Sequence, residues 1–239
     1  MSGALVIATR ELRDNLLQSM RAYVVASIFL LLSGAYFYAY LVETRFAVTS
    51  IAGFIQAARL LTVVFAAILT MGQFAEDRRS GAFALLLTSP VRDIDIVLGK
   101  YLSCFVGYCA MLAMTLYYPF LLFLFGAPEV GPIATSYVGL MLLGALCLAI
   151  GLFAASAGGN QIVSAALSLV ILFTLYYLGE AARILPDAIA AILVDLSLAS
   201  RFSNFSRGVI DSADVVYYLT LTGAFLYLAA DNLSRSRWR

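Results

Sequence analysis

From Val130 to Gly179 the chain carries no Asp, Glu, Lys or Arg. As one α-helix that run would be about 75 Å long at 1.5 Å per residue. The hydrocarbon core of a bilayer is only about 30 Å thick. The run therefore has to hold two spans, and Gly158-Gly159-Asn160 supplies a natural turn between them. The rest of the composition agrees with a bilayer. Hydrophobic residues make up 63% of the 239, and charged residues 12%, against roughly 25% charged in a soluble domain. A soluble globule of this size has too much surface to hide so much apolar material, and disorder needs the opposite balance of hydrophobicity and charge.

The remaining charges divide the chain into further spans. The expected set is 22–42, 50–74, 96–125, 133–157, 161–180 and 213–230, six in all, within a single membrane domain of 1–239. An even number puts both termini on one side. Arg10, Arg13, Arg21, Arg78, Arg79, Arg92, Lys100, Arg235, Arg237 and Arg239 fall on that side, and Arg45, Arg183, Arg201 and Arg207 on the other. Lys and Arg accumulate on the cytoplasmic face, so both termini are expected in the cytoplasm. No signal peptide is expected, because the polar segment before the first span is long and no small-residue cleavage site follows it.

Three segments do more than span. Over 4–20, Leu5, Ala8, Leu12, Leu16 and Met20 share one helical face, and Arg10, Glu11, Asp14, Asn15 and Gln18 the other. This spacing predicts an amphipathic helix along the inner interface, turning into the first span. Over 76–91, the charges Glu76, Asp77, Arg78 and Arg79 close the second span. A short apolar helix with Phe83, Leu86 and Leu87 on one face then stops at Ser89-Pro90. It is too short to span and too apolar for water, so it needs a protein groove or the inner leaflet. Over 181–211, Ile184, Ala188, Ile192 and Leu196 recur at helical spacing but are interrupted by Pro186 and by charges. That pattern predicts two short re-entrant or interfacial outer helices before the sixth span.

The chemistry-bearing residues are few. Histidine is absent, which removes the commonest general base and metal ligand. Cys104, Cys109 and Cys147 lie scattered in apolar runs and read as packing residues. No catalytic, cofactor or metal residues are expected, and a net charge of +1 offers no basic field for nucleic acid. Arg59 falls inside the second span. An arginine at depth is costly, so it is expected to snorkel to water or to pair with Glu180 at the outer end of the fifth span; the rival is contact with an anionic lipid or substrate group. Tyr117, Tyr118, Phe120, Tyr176 and Tyr177 are expected to form an interfacial belt. The small residues Gly139, Gly144, Gly151, Ala154 and Ala155 permit close helix approach, either to a second subunit or within one.

The stretch from Glu76 to Lys100 resembles the signature region of permease subunits of type-2 ABC exporters, whose pattern is roughly E-x-R-x-x-G-T-x-E-L-L-x-x-x-P-V followed by G-K and an aromatic. Here Glu76, Arg78-Arg79, Gly81, Leu85-Leu86, Pro90-Val91 and Gly99-Lys100-Tyr101 stand in register. Arg10-Glu11-Leu12 before the first span also looks like that class. The run Phe205 to Asp211 followed by Asp214 to Tyr218 looks like its gliding-motility-type branch. Ala82 and Ala84 replace the family's usual Thr and Glu, which puts polar coupling at that helix in doubt.

The resemblance implies an all-α integral membrane permease in a bacterial inner membrane. Its coupling set would be Glu76, Arg78, Arg79, Gly81, Phe83, Leu85, Leu86, Leu87 and Pro90. Its elbow helix would carry Arg10, Glu11, Leu12 and Leu16. ATP and Mg would be held by a separate cytoplasmic ATPase, present in two copies, and the permease itself would not be an enzyme. A Walker A loop is missing from the chain, since Gly99-Lys100 is followed by Tyr101 and preceded by Ile94 where the first Gly should stand. Two permease halves, identical or related, would pair in the lipid, and extracytoplasmic work such as gliding would need further chains. The competing expectations are a non-catalytic membrane scaffold and, behind it, a lipid-processing enzyme. The substrate is not legible.

Overall fold

The computed structural model describes residues 3–13, 20–43, 51–80, 92–125, 128–182 and 186–236. These residues are helical and contain no strand. In chain order the helices are α1 (Gly3–Glu11), α2 (Met20–Glu43), α3 (Ala52–Thr70), α4 (Ala75–Ser80), α5 (Asp93–Met114), α6 (Tyr117–Phe125), α7 (Val130–Ala157), α8 (Gln161–Ala181), α9 (Asp187–Leu196), α10 (Leu198–Ser206) and α11 (Ser212–Ser236). Six stretches are long and apolar enough to cross a membrane: Ala22–Glu43, Gly53–Thr70, Asp93–Leu124, Val130–Ala157, Gln161–Ala181 and Ser212–Arg235. This is the pattern of a multi-pass membrane protein, and the six match the six expected from the sequence.

Two spans are less regular than their composition suggested. The second ends as a helix at Thr70; the chain passes a turn at Met71–Phe74 and resumes as α4. The third breaks at Thr115–Leu116, between α5 and α6. Pro119 explains that break, because it has no N–H to give the Thr115 carbonyl four residues back and its ring crowds that carbonyl. The Thr115 carbonyl instead accepts from the Tyr118 N–H at 3.0 Å and from the Tyr137 hydroxyl at 3.0 Å. In a bilayer such a carbonyl has no water to turn to.

The charge-free run folds back where the glycines allow. α7 ends at Ala157, Gly158 is extended, and the Asn160 side chain caps α8 by accepting from the Val163 N–H at 2.8 Å.

α7 forms the axis of the bundle, and its middle, from Leu143 to Leu152, is wholly buried. Its small residues are notches for side chains of the same subunit. A Cβ on Gly139 would lie 2.8 Å from Cβ of Phe205; one on Gly144 would strike the Tyr108 ring, and one on Gly151 the Thr70 hydroxyl. Gly139, Gly144, Gly151, Ala154 and Ala155 are all buried, so internal packing, not a second subunit, uses this face.

Tyr108 ties three helices together. Its hydroxyl donates to the Leu140 carbonyl at 2.9 Å and lies 3.0 Å from the Thr62 hydroxyl. The polar atoms of α3, α5 and α7 thus satisfy each other where water is absent. α2 is covered least, with Leu31 and Tyr38 exposed, and is held by the Tyr118 hydroxyl donating to the Leu30 carbonyl at 3.0 Å.

The bundle has two distinct ends. A proximal end carries α1, the close of α3, the start of α5, the α7–α8 turn and the close of α11. Phe74, Ile96, Val97, Leu152, Ala155, Ala229 and Leu233 pack there as one apolar cluster, with Ile7 against it. The distal end carries the start of α3, the close of α8, and α9 and α10. The segment over 181–211 holds α9 and α10 among its described residues. Leu198, Phe202 and Phe205 of α10 are fully buried against the bundle, and the Phe205 carbonyl accepts from Thr135 at 2.7 Å. α9 leaves Ile192, Val194 and Leu196 exposed.

Candidate functional site

Two charged sites stand out, one at each end. The proximal one is built on α1 and α5, which pack against each other. Lys100, the only lysine of the chain, lies one to two turns into α5 and is 1% exposed. Its ammonium donates to Glu11 Oε1 of α1 at 2.8 Å and stands 5.5 Å from the Phe74 ring centroid. One residue thus touches α1, α5 and the turn between α3 and α4. Pairing and the ring face offset the cost of placing an ammonium in an apolar site.

The expected elbow residues meet this site unequally. Glu11 was expected on a solvated polar face; it is turned inward instead, with its side chain 18% exposed. The cause is the lone buried lysine, which draws the nearest carboxylate. Arg10 is exposed and Leu12 half-buried, where the helix widens into a π turn at Leu12–Arg13. Ala8 is buried, whereas Met20, expected on the same apolar face, begins α2 and is exposed. Leu16 lies outside the described residues.

Of the expected coupling set, Glu76, Arg78 and Arg79 lie on α4. Glu76 is half-buried and Arg79 exposed. Arg79 lines a cavity of about 410 Å³ with Ala75 and with Gly159, Asn160, Gln161 and Ile162 of the α7–α8 turn. Gly81, Phe83, Leu85, Leu86, Leu87 and Pro90 lie outside the described residues. α5 opens just beyond them with Asp93 and Asp95 in its first turn, where carboxylates suit the helix dipole.

No protein-family model matches this chain, and no curated protein matches it.

The distal site joins the two intramembrane ionisable residues singled out in the sequence. Arg59 and Glu180 line one cavity of about 600 Å³, together with Tyr36, Gln56, Tyr176, Tyr177, Ser197 and Ser200. The Arg59 guanidinium lies 5.0 Å from the Phe202 ring centroid, and its Nε is buried with no hydrogen-bond partner. Ser197 shapes the floor, donating to the Tyr176 carbonyl at 3.2 Å while accepting from the Ser200 N–H that begins α10. Of the expected aromatic belt, Tyr117, Phe120 and Tyr177 are exposed, whereas Tyr118 and Tyr176 turn inward.

Beside this cavity a polar cluster fixes α10 on α11. Asp214 is fully buried; its two oxygens accept from Arg201 at 3.1 Å and from Asn204 at 2.7 Å. Arg201 also bonds Asp195 at 3.1 Å and lies 5.5 Å from the Tyr217 ring centroid. The Tyr218 hydroxyl donates to the Leu198 carbonyl at 3.0 Å. Sequence reasoning missed this cluster and the Lys100–Glu11 pair. An aspartate in the first turn of an apolar span, and a solitary lysine at the start of another, were the signals that could have found them. Cys104 and Cys147 are buried free thiols, and Cys109 is half-buried, consistent with packing roles.

Proposed function

We propose that this chain is the membrane permease subunit of an ATP-driven transporter of the type-2 ABC exporter class. In this reading it sits in a bacterial inner membrane with its proximal end in the cytoplasm. ATP is hydrolysed by two copies of a separate subunit, and a second permease, identical or related, completes the pathway. The observation that carries the reading is the buried Lys100–Glu11 ion pair. It joins two segments on which the resemblance rests, Arg10-Glu11-Leu12 and Gly99-Lys100-Tyr101, although they are far apart in the sequence. Among the described residues, Arg10, Arg79, Lys100 and Arg235 lie on elements of the proximal end, and an excess of Lys and Arg favours a cytoplasmic face.

The mechanism follows from how the joint is connected. The coupling segment 76–91 lies between the end of α3 and the start of α5. A push on it by a closing ATPase pair moves both flanks. Phe74, in the turn after α3, lies against Lys100, and Lys100 holds Glu11, so that turn, α5 and α1 move as one lever. The spans above then change their tilt about α7, shifting access between the two sides. A rigid packed element of this kind conveys displacement because a close-packed interior does not deform continuously.

The test is co-expression of the tagged full chain with any ABC-type ATPase subunit that a neighbouring gene encodes. The wild-type chain is expected to retain the ATPase through purification. Leu85→Asp with Leu86→Asp is expected to lose it, with the permease still monodisperse. Equal retention by both, or no ATPase bound to the wild type, contradicts the reading.

A further inference from the structure

We propose that α8 is a hinged wall that opens and closes the distal cavity, pivoting at Gly158–Gly159 against a fixed block of α7, α10 and α11. The motion belongs to this chain by itself, so the proposal survives or fails independently of the ATPase partnership.

The block is joined by contacts that are costly to give up. Asp214 of α11 is fully buried and accepts from Arg201 and Asn204 of α10. Parting them would leave a buried carboxylate unpaired. α11 also grips the other end of α10, where the Tyr218 hydroxyl donates to the Leu198 carbonyl at 3.0 Å. Gly208, at φ +89°, closes α10. There the Val209 N–H donates to the Asn204 carbonyl at 3.1 Å, and the Gly208 N–H to the Phe205 carbonyl at 3.2 Å. α11 starts at Ser212, so the corner between the two helices is short. Phe205 sits in the Gly139 notch and its carbonyl accepts from Thr135, which ties both helices to α7.

α8 is held differently. Its buried residues Ser164, Ser168, Leu172 and Tyr176 recur every fourth position, a stripe one side chain wide. Its span is 22% buried, against 78% for α7. Weak coverage marks the elements that move most readily. α11, at 28%, is nearly as exposed, so the distinction lies in how the distal ends are tied. Where α8 meets α10 the bond is neutral, from the Ser197 hydroxyl to the Tyr176 carbonyl at 3.2 Å. Such a bond is exchanged for one to water at little net cost. Gly179 of α8 lets the two sides approach, since a Cβ there would stand 3.0 Å from the Ser197 hydroxyl. Midway along the stripe, the Ser168 hydroxyl is buried with no hydrogen-bond partner. A buried hydroxyl left unbonded marks a contact away from its best-bonded position.

Both a pivot and free space are present. Gly158 is extended, and a Cβ on it would lie 3.0 Å from the Ser164 backbone, so the reversal from α7 to α8 is tight; Gly159 beside it has open space. Hinges sit at such element ends. The cavity of about 600 Å³ lies between Tyr176, Tyr177 and Gly179 of α8 and Ser197 and Ser200 at the start of α10. Its width is therefore set by the angle of α8. A 21-residue helix is about 32 Å long, so a tilt of about 10° carries its distal end about 5 Å.

Distances between spin labels test this on the full chain in lipid nanodiscs. Cys109→Ser is the background, because that thiol is half-buried whereas Cys104 and Cys147 are buried. One pair, Thr174→Cys on α8 with Val216→Cys on α11, crosses the seam. The other, Ser203→Cys on α10 with Leu228→Cys on α11, lies within the block. Gly179→Val drives a wedge between α8 and α10. It is expected to lengthen the first distance by about 3–4 Å, as a tilt of about 10° would, and to leave the second within about 1 Å. Ser197→Ala, which removes the seam bond without a wedge, is expected to broaden the first distribution and spare the second. First-pair distances that neither variant changes overturn the proposal. So does a shift of equal size in both pairs, which would mean that α10 does not stay with α11.

Discussion

Lys100 and Arg59 occupy comparable positions at opposite ends of the bundle. Each is a cation within a span, and each lies against a phenylalanine ring, Phe74 at 5.5 Å and Phe202 at 5.0 Å. Lys100 is closed off by a carboxylate of its own chain at 2.8 Å and is nearly inaccessible. Arg59 faces a cavity and keeps a buried N–H without an acceptor. The same electrostatic cost is therefore met in two ways. A charge whose partner lies within the chain fastens helices together. A charge that lines a cavity, with a ring on one face, fastens nothing across the bundle. The mechanical role argued for the proximal end rests on its closed pairing.

The comparison breaks most readily at its closed end. Lys100→Met removes one end of the buried pair, and is expected to cost about 3–5 kcal/mol. Thermal unfolding in detergent measures this. Lys100→Met combined with Glu11→Leu is expected to recover part of the loss, since both charges are then absent from the apolar site.

The next effect concerns the axis between the two ends. Gly144→Val is expected to cost about 1–3 kcal/mol by forcing the Tyr108 ring aside. Gly159→Ala, with no atom near its added methyl, is expected to leave unfolding within about 0.5 kcal/mol of wild type. Tyr108→Phe removes the donor to Leu140, and the orphaned carbonyl is expected to cost about 1–2 kcal/mol in the same assay.

The smallest effect is at the open end. Arg59→Gln is expected to change delipidated stability by less than about 1 kcal/mol, because the cation–π contact it loses is offset by removal of a costly charge. A loss at Arg59 as large as that at Lys100 would erase the distinction between the two ends.

Much of the architecture was legible because charges are so sparse. The boundaries at Glu43, Asp93, Val130, Ala157 and Ala181 fall at or near a charge, a proline or the Gly158 turn, and those features act locally. The break at Pro119 was equally local but hidden inside a long apolar run, where span counting ignores it. What the sequence could not reveal were pairings across the fold. Glu11 lay on what read as a solvated helix face, and its inward turn depends on Lys100 in a different helix. Phe202 and Phe205 read as parts of an outer segment, and only the notch at Gly139 explains why they are buried. Arg59 and Glu180 were linked in the sequence reading by depth alone, and the structure brings them to one cavity lined also by Gln56, Ser197 and Ser200.

The claim that the proximal charge is a fastening internal to the chain is tested most directly by a double-mutant cycle on Glu11 and Lys100. Glu11→Gln, Lys100→Met and the double variant would be unfolded thermally alongside the wild type. The account predicts a coupling of about 1–3 kcal/mol, with the double variant closer to wild type than the sum of the single losses. Strictly additive losses would mean that α1 and α5 are not joined through this pair, and would contradict it.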